Sequence, residues 1–228
     1  MLKKIRKSQN AFAYTLLAPS IILLVALIGY PMIYNIMISV QKVPLNPKLE
    51  SVFVGLDNFK EVLADKEFYS SVLITIAFTF VVVVLSTILG LAMACFLNRE
   101  FVGKKLVNAL VILSYVVPSV CLIFCWRYMF NNIYGIINYF LVDILHVVDK
   151  APLWFDSPVS AFVLVALFNV WRFFPYAYMS FVAIMTSIDK SLYEAADIDG
   201  ASKWQKFKAV TYPAIKPTMV TVVSLRMI

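Results

Sequence analysis

SLYEAADIDGASKWQKFKAVTYPAIKP, residues 191–217, is a polar stretch set between an apolar run over 158–188 and another that begins at Thr218. Connections between packed helices usually need only about 2–8 residues, so a stretch this long with internal order has a use beyond connection. Two helix-start patterns follow one another in it: Ser191 with Glu194 three residues on, and Ser202 with Gln205 three residues on. Both have the form of a capping box, and each cap is worth about 1 kcal/mol. Gly200 stands between the two, where a left-handed C-cap costs glycine little. Pro213 and Pro217 are expected to mark the end of the second helix and the start of the next apolar run. The stretch reads as helix, turn, helix, compact enough to offer a docking face.

The rest of the chain says where that face lies. Of 228 residues, 62% are apolar and 14% charged, against roughly 25% charged in a soluble domain, and the mean hydropathy is +0.85. Several runs reach the length of about 20 apolar residues that crosses a bilayer. The expected fold class is all-α, a polytopic membrane helix bundle with four complete spans, near 12–34, 68–97, 106–126 and 158–188, and the start of a fifth. Pro19 and Pro31 in the first span are tolerable in a packed membrane helix, and the fourth is long enough to tilt or kink at the FFP sequence ending at Pro175. MLKKIRK precedes an uncharged stretch over 8–41 that exceeds a signal-peptide core and lacks a clear cleavage site, so it reads as an uncleaved anchor. Residues 41–67 read as a loop with a short helix at DNFKEVLAD. Residues 130–156, broken by Asp143, His146, Asp149 and Lys150 at helical spacing, are expected as an amphipathic helix on the outer surface.

A net charge of +7 could suit nucleic acid in a soluble domain, but here the cations sit beside apolar runs and report topology. With the N-terminus inside, twelve Lys and Arg face the cytoplasm: Lys3, Lys4, Arg6 and Lys7, then Arg99, Lys104 and Lys105, then Lys190, Lys203, Lys206, Lys208 and Lys216. Only five, Lys42, Lys48, Lys60, Lys66 and Lys150, face out. The opening stretch is then the largest cytoplasmic loop. Cys95, Cys121 and Cys125 fall within apolar spans and read as small packing residues. The chain has no phosphate-cradling GxxxxGK sequence, since Asn98 stands where the Gly103–Lys104 pair would need a first glycine. Energy for any uphill transport must enter through a partner.

On these residues the chain resembles the permeases of binding-protein-dependent ABC importers. Glu194, Ala195 and Ala196, then Gly200 after three residues, then Val210 and Pro213, are similar to that family's EAA loop. Asp199, Gly200 and Ala201 after EAADI, with Trp204, Phe207 and the TYPAIKP ending, look most like the carbohydrate-importer branch, although Tyr212 stands where Leu is more usual. YGIIN (134–138) and Trp154 also resemble that branch's outer segment. The resemblance implies a type I ABC importer permease fold over about 67–228, preceded by a helix and outer loop over 1–66, in a multi-pass inner-membrane protein with a cytoplasmic N-terminus. It implies a coupling loop over about 189–217, with Glu194, Ala195, Ala196, Asp199, Gly200, Ala201, Phe207 and Pro213 as the ATPase-coupling residues. The implied partners are cytoplasmic ABC ATPase subunits, a second permease subunit, an extracytoplasmic solute-binding protein and the bilayer, with no nucleic acid, no cofactor and no metal. The implied solute is a sugar or sugar-like molecule. The family pattern expects the fifth span to be completed and another to follow, so the chain reads as C-terminally truncated.

Arg172 lies in the middle of the fourth run, where an unpaired arginine costs about 2.5–3.5 kcal/mol on insertion scales. It is expected to face a cavity or a partner. With Asn169 three residues away on the same face and Trp171 beside it, it suits a translocation path that bonds sugar hydroxyls; equally, it suits a structural pair with a carbonyl or carboxylate. Arg127 reads as an interfacial residue whose head snorkels to water. No nucleophile, base and acid constellation appears, which disfavours the alternative of a membrane enzyme acting on lipids; Asp197 and Asp199, two apart on a helix, do not share a face. A standalone secondary transporter would predict inverted repeats and broken helices.

Overall fold

In lipid every backbone amide and carbonyl needs an internal partner, which long apolar runs obtain by becoming helices. The computed structural model describes residues 2–44, 46, 49–99 and 101–227, the side chains of 2–10 excepted. Lys48 and the side chains of Lys3, Lys4, Arg6 and Lys7, which enter the charge count, lie outside the described residues. The chain divides into two units, Met1–Val72 and Leu73–Ile228.

In the first unit α1 (Leu2–Leu24) passes through a π-helical turn, Val25–Gly29, into α2 (Tyr30–Ser39), and Ala11–Ser39 is long and apolar enough to cross a membrane. The π turn has a local cause. A proline ring clashes with the carbonyl four residues back, and widening the turn ahead of Pro31, so that Tyr30 N bonds Val25 O, moves that carbonyl aside. Beyond α2, β1 (Gln41–Lys42) pairs antiparallel with β2 (Val52–Phe53), Gln41 opposite Phe53. The expected short helix forms as α3 (Asp57–Ala64). Asn58 donates to Ser39 O at 2.9 Å and Gln41 O at 3.0 Å, closing the end of α2.

The second unit holds the rest of α4 (Lys66–Leu97), followed by α5 (Lys104–Val116), α6 (Ser119–Met129), the short α7 (Ile136–Tyr139), α8 (Pro158–Met185), α9 (Lys190–Ile198), α10 (Lys203–Lys206) and α11 (Tyr212–Met227). Its core gathers where α4, α8 and α11 meet: Ala94 and Leu97, then Ala177, Tyr178, Phe181 and Met185, then Ile215 and Val222. Gly90 permits the approach of α4 to α8, because a Cβ there would stand 2.6 Å from Ala177 Cβ and 2.8 Å from Tyr178 N. Among the described residues three helices are long and apolar enough to span, and α5 with α6 pass the same test together.

Four expectations need correction. The third span over 106–126 is not one helix: α5 and α6 are bent by 99° at Val117 and Pro118, where Val117 is extended because a residue before proline avoids the helical region. The outer segment over 130–156 is helical only in α7 and the π turn Phe140–Ile144. It stops at His146, whose φ of 51° lets Val147 N reach back to Leu141 O at 3.0 Å. The first capping box does not form. Asp189, not Ser191, is the N-cap of α9, its carboxylate accepting from Ser191 N at 2.9 Å, because an anion suits a helix N-terminus better than a neutral hydroxyl. Finally, Pro213 and Pro217 end nothing. A second π turn, Phe207–Thr211, bonds Tyr212 N to Phe207 O just ahead of Pro213, the same accommodation as at Pro31, and the helix continues through both prolines to Met227.

Candidate functional site

The loop over 189–217 folds into a corner of two capped helices. α9 is closed at its C-terminus by a Schellman turn: Gly200 takes φ +71°, Gly200 N donates to Asp197 O at 3.1 Å and Ala201 N to Ala196 O at 2.9 Å, the pattern that satisfies the last carbonyls of a helix. The chain turns at once into α10, where the predicted capping box is present, Ser202 Oγ accepting from Gln205 N and Gln205 Oε1 from Ser202 N at 2.7 Å. Ser191's amide, then its hydroxyl, hold the Asp189 carboxyl below its ordinary range.

Of the sequence-predicted coupling residues, Glu194, Ala195, Asp199, Gly200 and Pro213 are exposed, while Ala196, Ala201 and Phe207 are half-buried. The corner also exposes apolar side chains that sequence reasoning did not single out as a surface, Ile198 at 88% and Trp204 at 70%, Trp204 stacking on Phe207 with centroids 5.4 Å apart. Two further contacts tie α9 to the helix after it: Tyr193 to Thr211, hydroxyl to hydroxyl at 2.8 Å, and Lys206 to Asp197 as an ion pair. Neither was legible from spacing alone.

The second candidate region is the bend between α5 and α6 where it meets α8. Pro175 lacks an amide proton, so the carbonyl of Trp171 loses its helical donor; Ser114 Oγ of α5 replaces it at 3.2 Å. In return, Arg172 Nη1 of α8 donates to Val117 O at 3.4 Å, at the break in α5, and its guanidinium lies 5.5 Å from the Phe173 ring centroid. Each helix thus supplies a donor to the other: Trp171 O has lost its helical amide to Pro175, and Val117 O lies outside the helical ladder because Pro118 holds Val117 extended. Beside this seam lies a cavity of about 490 Å³ lined by Ser119, Trp126, Arg127, Phe168, Asn169 and Arg172 among others. Arg172 thus has a carbonyl partner and also faces the cavity. Asn169 lines the cavity with its amide donating to Val165 O at 2.8 Å. Trp171 packs against Trp126, centroids 5.7 Å apart, and it is Trp126 that lines the cavity. Arg127 is on that wall too.

YGIIN and Trp154 form one structural unit. Trp154 Nε1 donates to Asn138 Oδ1 at 2.8 Å and Asn138 Nδ2 to Asn131 O at 3.2 Å. A Cβ at Gly135 would lie 2.2 Å from the same Asn131 oxygen.

This architecture matches known proteins. The family model described as "Binding-protein-dependent transport system inner membrane component" matches residues 86–228. The inner membrane ABC transporter permease protein YcjO of Escherichia coli is 56% identical over 222 residues, 97% of this chain and 76% of that protein. The trehalose/maltose transport system permease protein MalF of Thermococcus litoralis is 34% identical over 227 residues, 99% of this chain and 75% of that protein. A crystal structure of a bacterial ABC transporter involved in the import of the acidic polysaccharide alginate shares the fold, with a TM-score of 0.82 at 20% identity over 99% of this chain and 75% of that one. From the match over 86–228 and the 56% identity to YcjO, the chain belongs to the binding-protein-dependent transport system inner membrane components, the ABC transporter permeases, which are transport components and not enzymes.

Proposed function

We propose that the chain is a permease subunit of an ATP-driven importer for a sugar, that residues 67–228 form its transmembrane domain, and that the 189–217 corner docks a cytoplasmic ATPase. The observation that carries this reading is the corner itself: two capped helices about a left-handed glycine, with Ile198 and Trp204 exposed beside Glu194 and Ala195. Burying such side chains against a partner gains about 25 cal/mol per Å² of apolar surface, and the capped corner loses little entropy on docking. The Lys and Arg distribution favours a cytoplasmic N-terminus, which puts the corner on the ATPase side.

A sugar is favoured by the relative named for trehalose and maltose transport and by a cavity whose wall combines the Trp126 ring with the polar heads of Asn169 and Arg172. Cavities of about 300–1,000 Å³ suit small ligands. A second permease subunit would complete the path, and an extracytoplasmic binding protein would deliver the solute. The test is uptake of labelled trehalose or maltose by the assembled transporter in proteoliposomes. Uptake that follows internal ATP and ignores ion gradients supports the proposal; uptake driven by a proton or sodium gradient without ATP contradicts it.

A further inference from the structure

α9 grips the following helix at two points one turn apart. Tyr193 and Asp197 stand four residues apart and so lie on one face of α9; Tyr193 meets Thr211 and Asp197 holds Lys206. The two receiving residues are five apart. Five residues of regular α-helix rotate about 500°, leaving their side chains roughly 140° out of line. The π turn Phe207–Thr211, whose i→i+5 bond joins Phe207 O to Tyr212 N, brings residues five apart back toward one face. The distortion that accommodates Pro213 also presents Lys206 and Thr211 to α9 together.

The two grips differ in strength. Asp197 is 64% exposed, and an ion pair in contact with water contributes little. Thr211 is only 4% exposed, so its hydroxyl depends on Tyr193 and loses more when unpartnered. From Thr211 the helix runs through α11 to Arg226, whose guanidinium lies 3.9 Å from the centroid of the Phe173 ring, on the wall of the Arg172 cavity.

We propose that the Tyr193–Thr211 hydroxyl pair is the link through which displacement of the docking helix α9 is delivered to α11 and so to the cavity wall. Tyr193 is a positioning residue in this account, and the account rests on the docking reading above. The experiment compares Tyr193→Phe, Thr211→Val, the double variant and Thr211→Ser in the assembled transporter in proteoliposomes, reading ATPase copurification, basal ATP hydrolysis and solute imported per ATP hydrolysed. Copurification and basal hydrolysis are expected to stay at the parent level. Solute per ATP is expected to fall about fivefold in each single variant, the factor equivalent to one neutral hydrogen bond, with no further fall in the double variant and recovery in Thr211→Ser. A parent-level ratio in both single variants, or losses that multiply in the double, would overturn the link. Loss of ATPase by Tyr193→Phe would also overturn it, by placing Tyr193 in the dock. Failure of the docking reading shows separately, as ATPase retention by Gly200→Asp.

Discussion

A side chain at position 200 would be strained by conformation and not by crowding: Gly200 has φ +71°, and a Cβ built on it meets nothing within 4 Å. Gly200→Ala should therefore destabilise the corner by about 1 kcal/mol, while Gly200→Asn, larger but tolerant of the left-handed region, should stay closer to the parent. Amide hydrogen exchange across 191–206 reads the difference; an Asn variant looser than the Ala variant would mean that crowding matters instead. At the other end of α9, Asp189 is a titrating cap whose carboxyl lies below its ordinary range through Ser191's amide and then its hydroxyl. A depressed folded pKa means that the cap acts fully above the unfolded carboxylate value of about 3.9 and is lost as pH falls through the lower folded value. Exchange in the first turn of α9 should accelerate in that acid window, and Asp189→Asn, which caps without titrating, should show no such step.

Among the elements, the seam between α5 and α8 depends on two donors. Ser114→Ala strands the Trp171 carbonyl and is expected to cost about 1–3 kcal/mol, seen as a lower unfolding temperature in detergent. Arg172→Leu strands Val117 O and also strips the cavity wall, so it should reduce uptake beyond what the loss of stability explains; uptake at the parent rate would remove Arg172 from the path. The spans themselves were legible, because hydropathy counts residues and a crossing needs a fixed number of them. The bend at Val117 was not, since a window of apolar residues carries no direction and Pro118 looks like any tolerated membrane proline. Pro213 misled for the opposite reason. Proline rules describe α-helices, and the π turn at Phe207–Thr211 has no signature in composition. The Ser202–Gln205 cap was readable because both partners lie within four residues, whereas Tyr193 and Thr211 are 18 apart and meet only once the corner has folded.

At the scale of the whole molecule, the proposed cytoplasmic N-terminus predicts that residues 41–67 face outward and residues 189–217 face inward. In a background lacking Cys95, Cys121 and Cys125, an impermeant thiol reagent applied to intact cells should label Asn46→Cys and spare Lys208→Cys; the reverse pattern would invert the topology. The central claim is that the corner docks an ATPase, and copurification of that ATPase with Gly200→Asp and Glu194→Lys tests it most directly. Gly200→Asp adds bulk and an anion at the exposed turn, and Glu194→Lys reverses an exposed charge on α9, while neither position lies in a spanning helix. Both variants should reach the membrane at the parent level and lose the ATPase; ATPase retained by both, with uptake at the parent rate, would contradict the account.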